Sequence, residues 1–321
     1  MAGTISPLNP TTWTGELDEF LYEVVETGAD FLKPEKSAAY SKVGVRYKEQ
    51  LDRLEFSDDP FEDYTEGNPT FAATSTLKKR DLVPEKMTIS GTFKADEWLN
   101  QWARYAPNGN LTNLMMNQEF LRRVLELAIN KSKTQLDKLF WIGDKGAGGA
   151  SPLRFFDGIV TKLIADSDGD VVFVTPAGVI TQANVVDRLV DMYEATPDKF
   201  LEDPNYKYHM SMTDYKILQL FNNDAKKTTV GVLDENVRNL FLAKRIVPFV
   251  NMPKDHIIGA HTTLTADSNF VFGQYFSLDA EFSGIQVAKT ANLGHLMGWR
   301  VDFMCDAQYR YGGDVLLYKP V

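Results

Sequence analysis

Residues 140–160 read FWIGDKGAGGASPLRFFDGIV, and how its glycines are interpreted decides the fold. A P-loop requires G-x-x-x-x-G-K-[ST] between a strand and a helix. Here Lys145 precedes Gly146, no G-K-[ST] occurs, and the run follows a helical pattern. A dinucleotide fingerprint requires G-x-G-x-x-G/A. Gly146 and Gly148 match its first two glycines, but Ser151 stands at the third. The order of helix, glycines and Pro152 is wrong for either cradle. The stretch therefore predicts a joint. Phe140 and Trp141 close a helix, and Gly143, Gly146, Gly148 and Gly149 let the chain reverse, because glycine reaches positive φ at little cost. Pro152 prevents the helix from continuing, and Gly158 lies within the start of the next domain.

Upstream of the joint, Leu111–Trp141 carries one helical pattern, with Leu114, Leu121, Leu125, Ala128, Leu136 and Leu139 on a face and Thr112 at its N-cap. At about 1.5 Å per residue such a helix is about 40 Å long, the spine of a domain. Residues 96–110 predict a shorter helix ended by Pro107 and Gly109. Downstream, strands and helices alternate. VVFVT (171–175) predicts a buried strand, 184–193 a helix with Val185, Leu189 and Met192 inward, and YKYHMSM (206–212) an alternating strand leading into a helix over 213–221. A helix is predicted over 233–242, and extended segments over 245–250, 256–260 and 269–275. VDFMCDAQYRY (301–311) alternates most clearly, with Val301, Phe303, Cys305, Ala307, Tyr309 and Tyr311 on one face.

The N-terminal third has a different character. Residues 1–13 predict an extended arm. Glu16–Leu32 predicts an amphipathic helix with Phe20 and Leu21 on its apolar face and Asp18, Glu19, Glu23 and Glu26 on the other. Such a helix either packs on its own core or docks on a partner subunit. Over 41–95 an acidic run (Glu49, Asp52, Glu55, Asp58, Asp59, Glu62, Asp63, Glu66) leads to a Gly67-Asn68-Pro69 turn. A Thr- and Ser-rich limb carrying Lys78-Lys79-Arg80 follows. This predicts a β-hairpin projecting from the body. Its strand edges call for cover, either from another subunit or, if the segment is a solvated loop, from water.

Composition narrows the function. The chain has 321 residues, 44% of them hydrophobic, and a formal net charge of −10. That balance, without a dominant basic stripe, argues against sequence-specific grip on DNA. No run approaches the roughly 18 apolar residues of a membrane helix, and the first twenty residues predict no signal peptide. The single cysteine, Cys305, fits a reducing compartment and reads as a core thiol. DSDGD (166–170) offers Asp166, Asp168 and Asp170 as calcium ligands, but Val171 and Ala177 occupy the glycine and glutamate positions of an EF-hand, so a tight turn is expected. Asp302 and Asp306 on one strand face sit about 13 Å apart, too far for a glycosidase pair. The four histidines share no metal-ligand spacing. No catalytic, cofactor or metal residues are expected.

The ordered set of arm, hairpin, spine, glycine joint, α/β segment and returning strand resembles the major capsid proteins of tailed bacteriophages with the Hong Kong 97 fold. YTEGNPTFAATSTLKKRDLVPEKMTIS (64–90) is similar to that family's extended loop. FWIGDKGAGG…FFDGIV is similar to its helix-end segment, and VDFMCDAQYRYGGDVLLYKP (301–320) to its returning strands. The resemblance implies an α+β fold divided into an arm (1–40), an extended loop (41–95), a peripheral domain with the spine (96–159 and 298–321) and an axial domain (160–297). It implies a non-enzymatic shell protein that assembles through hexamers and pentamers in the host bacterial cytoplasm, with double-stranded DNA enclosed by proximity and no membrane. A portal and decoration proteins are implied partners. Because Met1 leads almost directly into the arm, a separate scaffolding protein is expected. Asp58, Asp59, Glu62, Asp63, Glu66, Lys78, Lys79, Arg80, Phe20 and Leu21 are the expected inter-subunit residues. An encapsulin-like compartment and, remotely, an unrelated α/β enzyme are the alternatives.

Overall fold

A computed structural model describes residues 11–13, 29–56, 75–94, 132–149, 151–166, 169–175, 178–226, 240–242, 244–275, 285–289 and 296–320. Of the helix expected over 16–32 only 29–32 is described, and there it is a 3₁₀ turn at Asp30–Leu32; the helix expected at 96–110, the spine before 132, and the acidic run with Asp58, Asp59, Glu62, Asp63 and Glu66 lie outside these residues, as do Phe20 and Leu21.

The first sheet is organised by one long strand, β13 (Leu296–Tyr309). Arg300 lies between Gln286 and Ser90, and Cys305 between Gln274 and Glu85. So β12 (Ile285–Lys289) and β11 (Phe270–Tyr275) follow one another along one edge of β13, and β5 (Glu85–Lys94) covers the other. Outside them, β1 (Thr11–Trp13) pairs with β12, and β2 (Tyr40–Val43) runs parallel to β11. β5 thus belongs to the body instead of projecting with the loop. The hairpin proper is β3 (Glu49–Phe56) with β4 (Ser75–Leu82).

The second sheet has the order β6 (Val172–Phe173), β14 (Leu316–Tyr318), β10 (Ile257–His261), β7 (Tyr206–Ser211), β9 (Lys244–Phe249), β8 (Leu240–Phe241). The sheets divide the chain differently from the expected domains. β11 and β12, expected in the axial segment, pair with β13, while β14, expected beside β13, joins the second sheet. Long-range strand pairing decides this, and local pattern does not carry it. Residues 240 and 241 are strand instead of helix.

The helices are α1 (132–142), α2 (Ile159–Ile164), α3 (Val185–Glu194) and α4 (Met212–Lys226). α3 buries Val185, Leu189 and Met192, the expected face, and packs with α4 against one face of the second sheet. The opposite face shares a continuous core with α1, α2 and the first sheet. β7 is consequently buried at every position. Tyr206, Tyr208 and Met210 face the α3–α4 side, and Lys207, His209 and Ser211 the other, so alternation in the sequence does not become alternating exposure. The same holds for β13, where Asp302 and Asp306 are buried like Phe303 and Cys305. Val172 and Phe173, expected to be buried, stand 40% and 43% exposed at the sheet's edge.

Candidate functional site

Two places in the fold connect its parts: the glycine joint and the seat of the hairpin. At the joint, adjacent residues of α1 serve different sheets. The Phe140 ring stacks on Phe31 at 3.9 Å and meets Phe272 of β11 edge-on. Trp141 packs on Phe249 of β9 at 4.9 Å and on His209 of β7 at 6.0 Å. Burial holds His209 neutral, its pKa down to about 3, so it acts there as an aromatic core group.

Gly143 and Gly158 lie where the chain enters and leaves the loop, with backbone against backbone. The Gly158 N–H donates to the Gly143 carbonyl at 2.9 Å, which also accepts from the Thr161 hydroxyl at 2.7 Å. A Cβ on Gly158 would stand 2.6 Å from Gly143 N, Leu139 O and Trp141 C, and one on Gly143 would stand 2.2 Å from Phe156 O. The requirement is close approach and not positive φ, which in this run occurs only at Gly149. Gly148 has open space around it, and Pro152 contributes its carbonyl to the Gln135 amide at 2.9 Å. Gly143 and Gly158 therefore carry the joint, and Gly146, Gly148 and Gly149 form its exposed turn.

The joint also seats a strap, residues 29–39. Its 3₁₀ turn at Asp30–Leu32 points its N-terminus at Asp137 of α1, which accepts the Asp30 N–H at 2.7 Å. At the other end the buried Lys207 ammonium donates to the Ser37 hydroxyl and to the Thr262 carbonyl. Burial raises the Asp137 pKa to about 7, the Asp30 N–H opposing and the Asp30 charge reinforcing. Its ordinary value is 3.8. The folded state thus holds this proton more tightly, and stability falls as pH rises from about 4 to about 7. Burial lowers Lys207 to about 8, an effect of opposite sign that acts at higher pH. We expect Asp137→Asn to flatten the loss of unfolding temperature between pH 4.5 and 7, removing about 2–4 kcal/mol of pH dependence. An unchanged slope would contradict this.

The hairpin is fixed to its own body by one face. Leu51, Arg53, Lys78, Arg80 and Leu82 share that face by register and alternation. Leu51 and Leu82 are buried with Val45 and Val271, and Leu82 occupies the space that a Cβ on Gly273 would need. Arg53 pairs with the buried Asp314 carboxylate and lies over the Tyr311 ring. Lys78 pairs with Asp170 at 2.9 Å, and Arg80 with Asp166 at 3.1 Å while stacking 4.1 Å above Tyr309. Burial pushes Asp166 up, but the Val171 N–H, the Tyr309 hydroxyl and Arg80 outweigh it and hold the carboxyl below its usual value. Asp306 of β13, raised by burial against the pull of Lys162, accepts the Val83 N–H at 2.9 Å and the Lys162 ammonium at 2.9 Å. The strand leaving the hairpin is thereby tied to α2.

Two of the three expected inter-subunit cations, Lys78 and Arg80, are therefore paired within their own chain; Lys79 lies on the outward face, exposed. The sequence did not single out Arg53, Tyr309, Tyr311, Asp314 or Arg310. A signal was present for Asp166 and Asp170, whose acid-rich segment failed as a calcium loop and lies opposite the hairpin's cations. Among the described residues no group of acids, histidines or cysteine is placed to hold a metal, and no helix is long and apolar enough to cross a membrane.

A long strand lined by others, a second sheet under helices, a glycine joint and an anchored hairpin define an α+β capsid fold of the Hong Kong 97 type. Among solved structures, the chain is similar to a chain in the structure of a satellite phage P4 procapsid including the size determination (Sid) protein. The identity is 12%, the match covers 96% of this chain and 93% of that one, and the TM-score is 0.63. It is similar to the capsid of an empty GTA particle (12% identity, 99% and 95% covered, TM-score 0.55) and to a structure from Microbacterium phage Oxtober96 (14% identity, 100% and 96% covered, TM-score 0.51). No protein-family model and no curated protein matches the chain in sequence.

Proposed function

We propose that the chain is a major capsid protein that self-assembles through hexamers and pentamers into an icosahedral shell around double-stranded DNA. The observation that carries this is the extent of the likeness: a chain of a phage procapsid structure is matched over 96% of this chain at a TM-score of 0.63, despite 12% identity. The anchored hairpin supports it. A hairpin whose described strands are held to the body by three ion pairs presents their outward face in a fixed direction, as a repeated contact between copies requires. The net charge of −10 suits a wall that encloses DNA without gripping it. A portal completes the assembly, in the bacterial cytoplasm, and the chain itself does no catalysis. An encapsulin-like compartment draws less support, because the likenesses with the higher TM-scores include phage and GTA capsids.

Sedimentation of the purified chain tests the proposal. We expect discrete assemblies of five or six subunits, or shells, that dissolve in denaturant to single chains of 36.2 kDa without a covalent ladder. A monomer at all concentrations would overturn it.

A further inference from the structure

The strap, residues 29–39, touches both sheets. Toward the first sheet, the Phe31 ring stacks on Phe140 at 3.9 Å and meets Phe272 of β11 edge-on at 5.1 Å, and the chain runs on into β2 beside β11. Toward the second, Lys36 donates to the Pro248 carbonyl of β9 at 2.8 Å and lies over the Phe249 ring. The Arg245 guanidinium of β9 donates to the Glu35 carbonyl at 2.6 Å, and Lys207 of β7 donates to the Ser37 hydroxyl. Against the first turn of the strap lies Asp137 of α1, 6% exposed, which accepts the Asp30 N–H at 2.7 Å. No cation pairs with this carboxyl among the described residues. The strap's two lysines are taken by Asp30, Lys33 at 3.0 Å and Lys36 at 2.5 Å. A buried carboxyl beside a second carboxylate, without a cation of its own, is costly to ionise.

We propose that the strap is a clamp across the two sheets whose grip is set by the proton on Asp137. With the proton in place, Asp137 carries no charge against Asp30, and Lys36 stays on both Asp30 and Pro248. Ionised Asp137 repels Asp30 and competes with it for Lys33 and Lys36, and drawing Lys36 away removes a bond to β9. Opening the strap relieves this by returning Asp137 to water. Asp30 and Lys33 act on Asp137 from the strap. Glu35 and Lys36 follow them there, Lys133 and Lys138 flank it on α1, and Arg245 is the charge that β9 brings to the strap. Asp137 has an ordinary value of 3.8 and a value of about 7 in the closed strap. The closed form holds the proton more tightly, so the grip is full below about pH 4, weakens as pH rises, and levels off above about pH 7. Between pH 5 and 7 the open fraction rises about fiftyfold. Lys207, lowered to about 8 by burial, acts with the opposite sign and above that window. The clamp belongs to the single subunit and does not rest on the assembly reading.

Hydrogen exchange of the full chain between pH 5 and 8, read by mass spectrometry on peptides spanning 29–39 and corrected for intrinsic rates, tests this. Strap amides should lose about fiftyfold in protection between pH 5 and 7 and little more above, through an opening insensitive to low concentrations of guanidinium. That insensitivity separates strap opening from global unfolding, which β7 and β10 report. Asp137→Asn, similar in shape and unable to ionise, should keep its protection level across the range. Asp30→Asn should end the fall at a lower pH, because it removes the repelling charge and frees Lys33 and Lys36 for Asp137. Spin labels at Val83→Cys, beside β5, and Leu220→Cys, on α4, both exposed, read the two sheets, with unlabelled chain in excess. Their distance distribution should broaden over the same pH range, and stay narrow when Asp137→Asn is added. A fall in Asp137→Asn as steep as in the wild type, a fall unchanged by Asp30→Asn, or strap exchange only together with β7 and β10 would overturn the clamp. So would an unchanged distance distribution while the strap loses protection.

Discussion

Gly158→Ala is expected to prevent accumulation of a folded subunit. Its new Cβ would stand 2.6 Å from three backbone atoms, Gly143 N, Leu139 O and Trp141 C. Backbone cannot yield as the end of a flexible side chain does. Relief would require separating the end of α1 from the start of α2, which would strain the hydrogen bond from Gly158 to the Gly143 carbonyl and the seating of Phe140 and Trp141. Overpacking of this kind costs about 3 kcal/mol or more. Gly148→Ala, in the same glycine run but in open space, is the control, expected to change stability by about 0.5 kcal/mol or less. Soluble yield of the two variants checks this, with denaturant midpoints wherever folded protein is recovered, and equal yields and midpoints would show that the joint is not a close-packed crossing.

The second large effect is expected from Asp166→Ala. The Asp166 side chain is 2% exposed and that of Arg80 13%. Removing the carboxylate takes this ion pair from the guanidinium and takes an acceptor from the Tyr309 hydroxyl and the Val171 N–H. Losing one partner of a buried pair costs about 3–5 kcal/mol. Part of that loss should be local. Amide exchange should accelerate in β3 and β4 before the second sheet responds, because Arg80 belongs to the hairpin and the second sheet keeps its own core. Unaltered protection of the hairpin amides would remove Asp166 from the anchor.

What the sequence could and could not reveal follows from the range of the forces involved. The buried face of α3 and the strands β7, β9, β10, β11 and β13 were legible because periodicity is a local consequence of burial. The end of α1 was legible because glycines and Pro152 punctuate it. Partners at long separation were not. Nothing near Leu316 shows that β14 leaves β13 to lie between β10 and β6, and nothing near Val172 shows that its strand forms an edge. The same limit governed the candidate residues. A cluster of Lys78, Lys79 and Arg80 looks uniform in sequence, but strand alternation splits it, turning Lys78 and Arg80 toward Asp170 and Asp166 and leaving Lys79 outward. Gly143 is legible as a joint residue for its conformational freedom and Gly158 for its place at the start of the next domain, whereas the backbone contact that makes both necessary exists only once the chain crosses itself.

The central claim is that this subunit builds a shell. Negative-stain electron microscopy of the purified full-length chain tests it most directly. Closed particles, or separate rings of six and five subunits, are the predicted result, and a stable monomer under all conditions would contradict it.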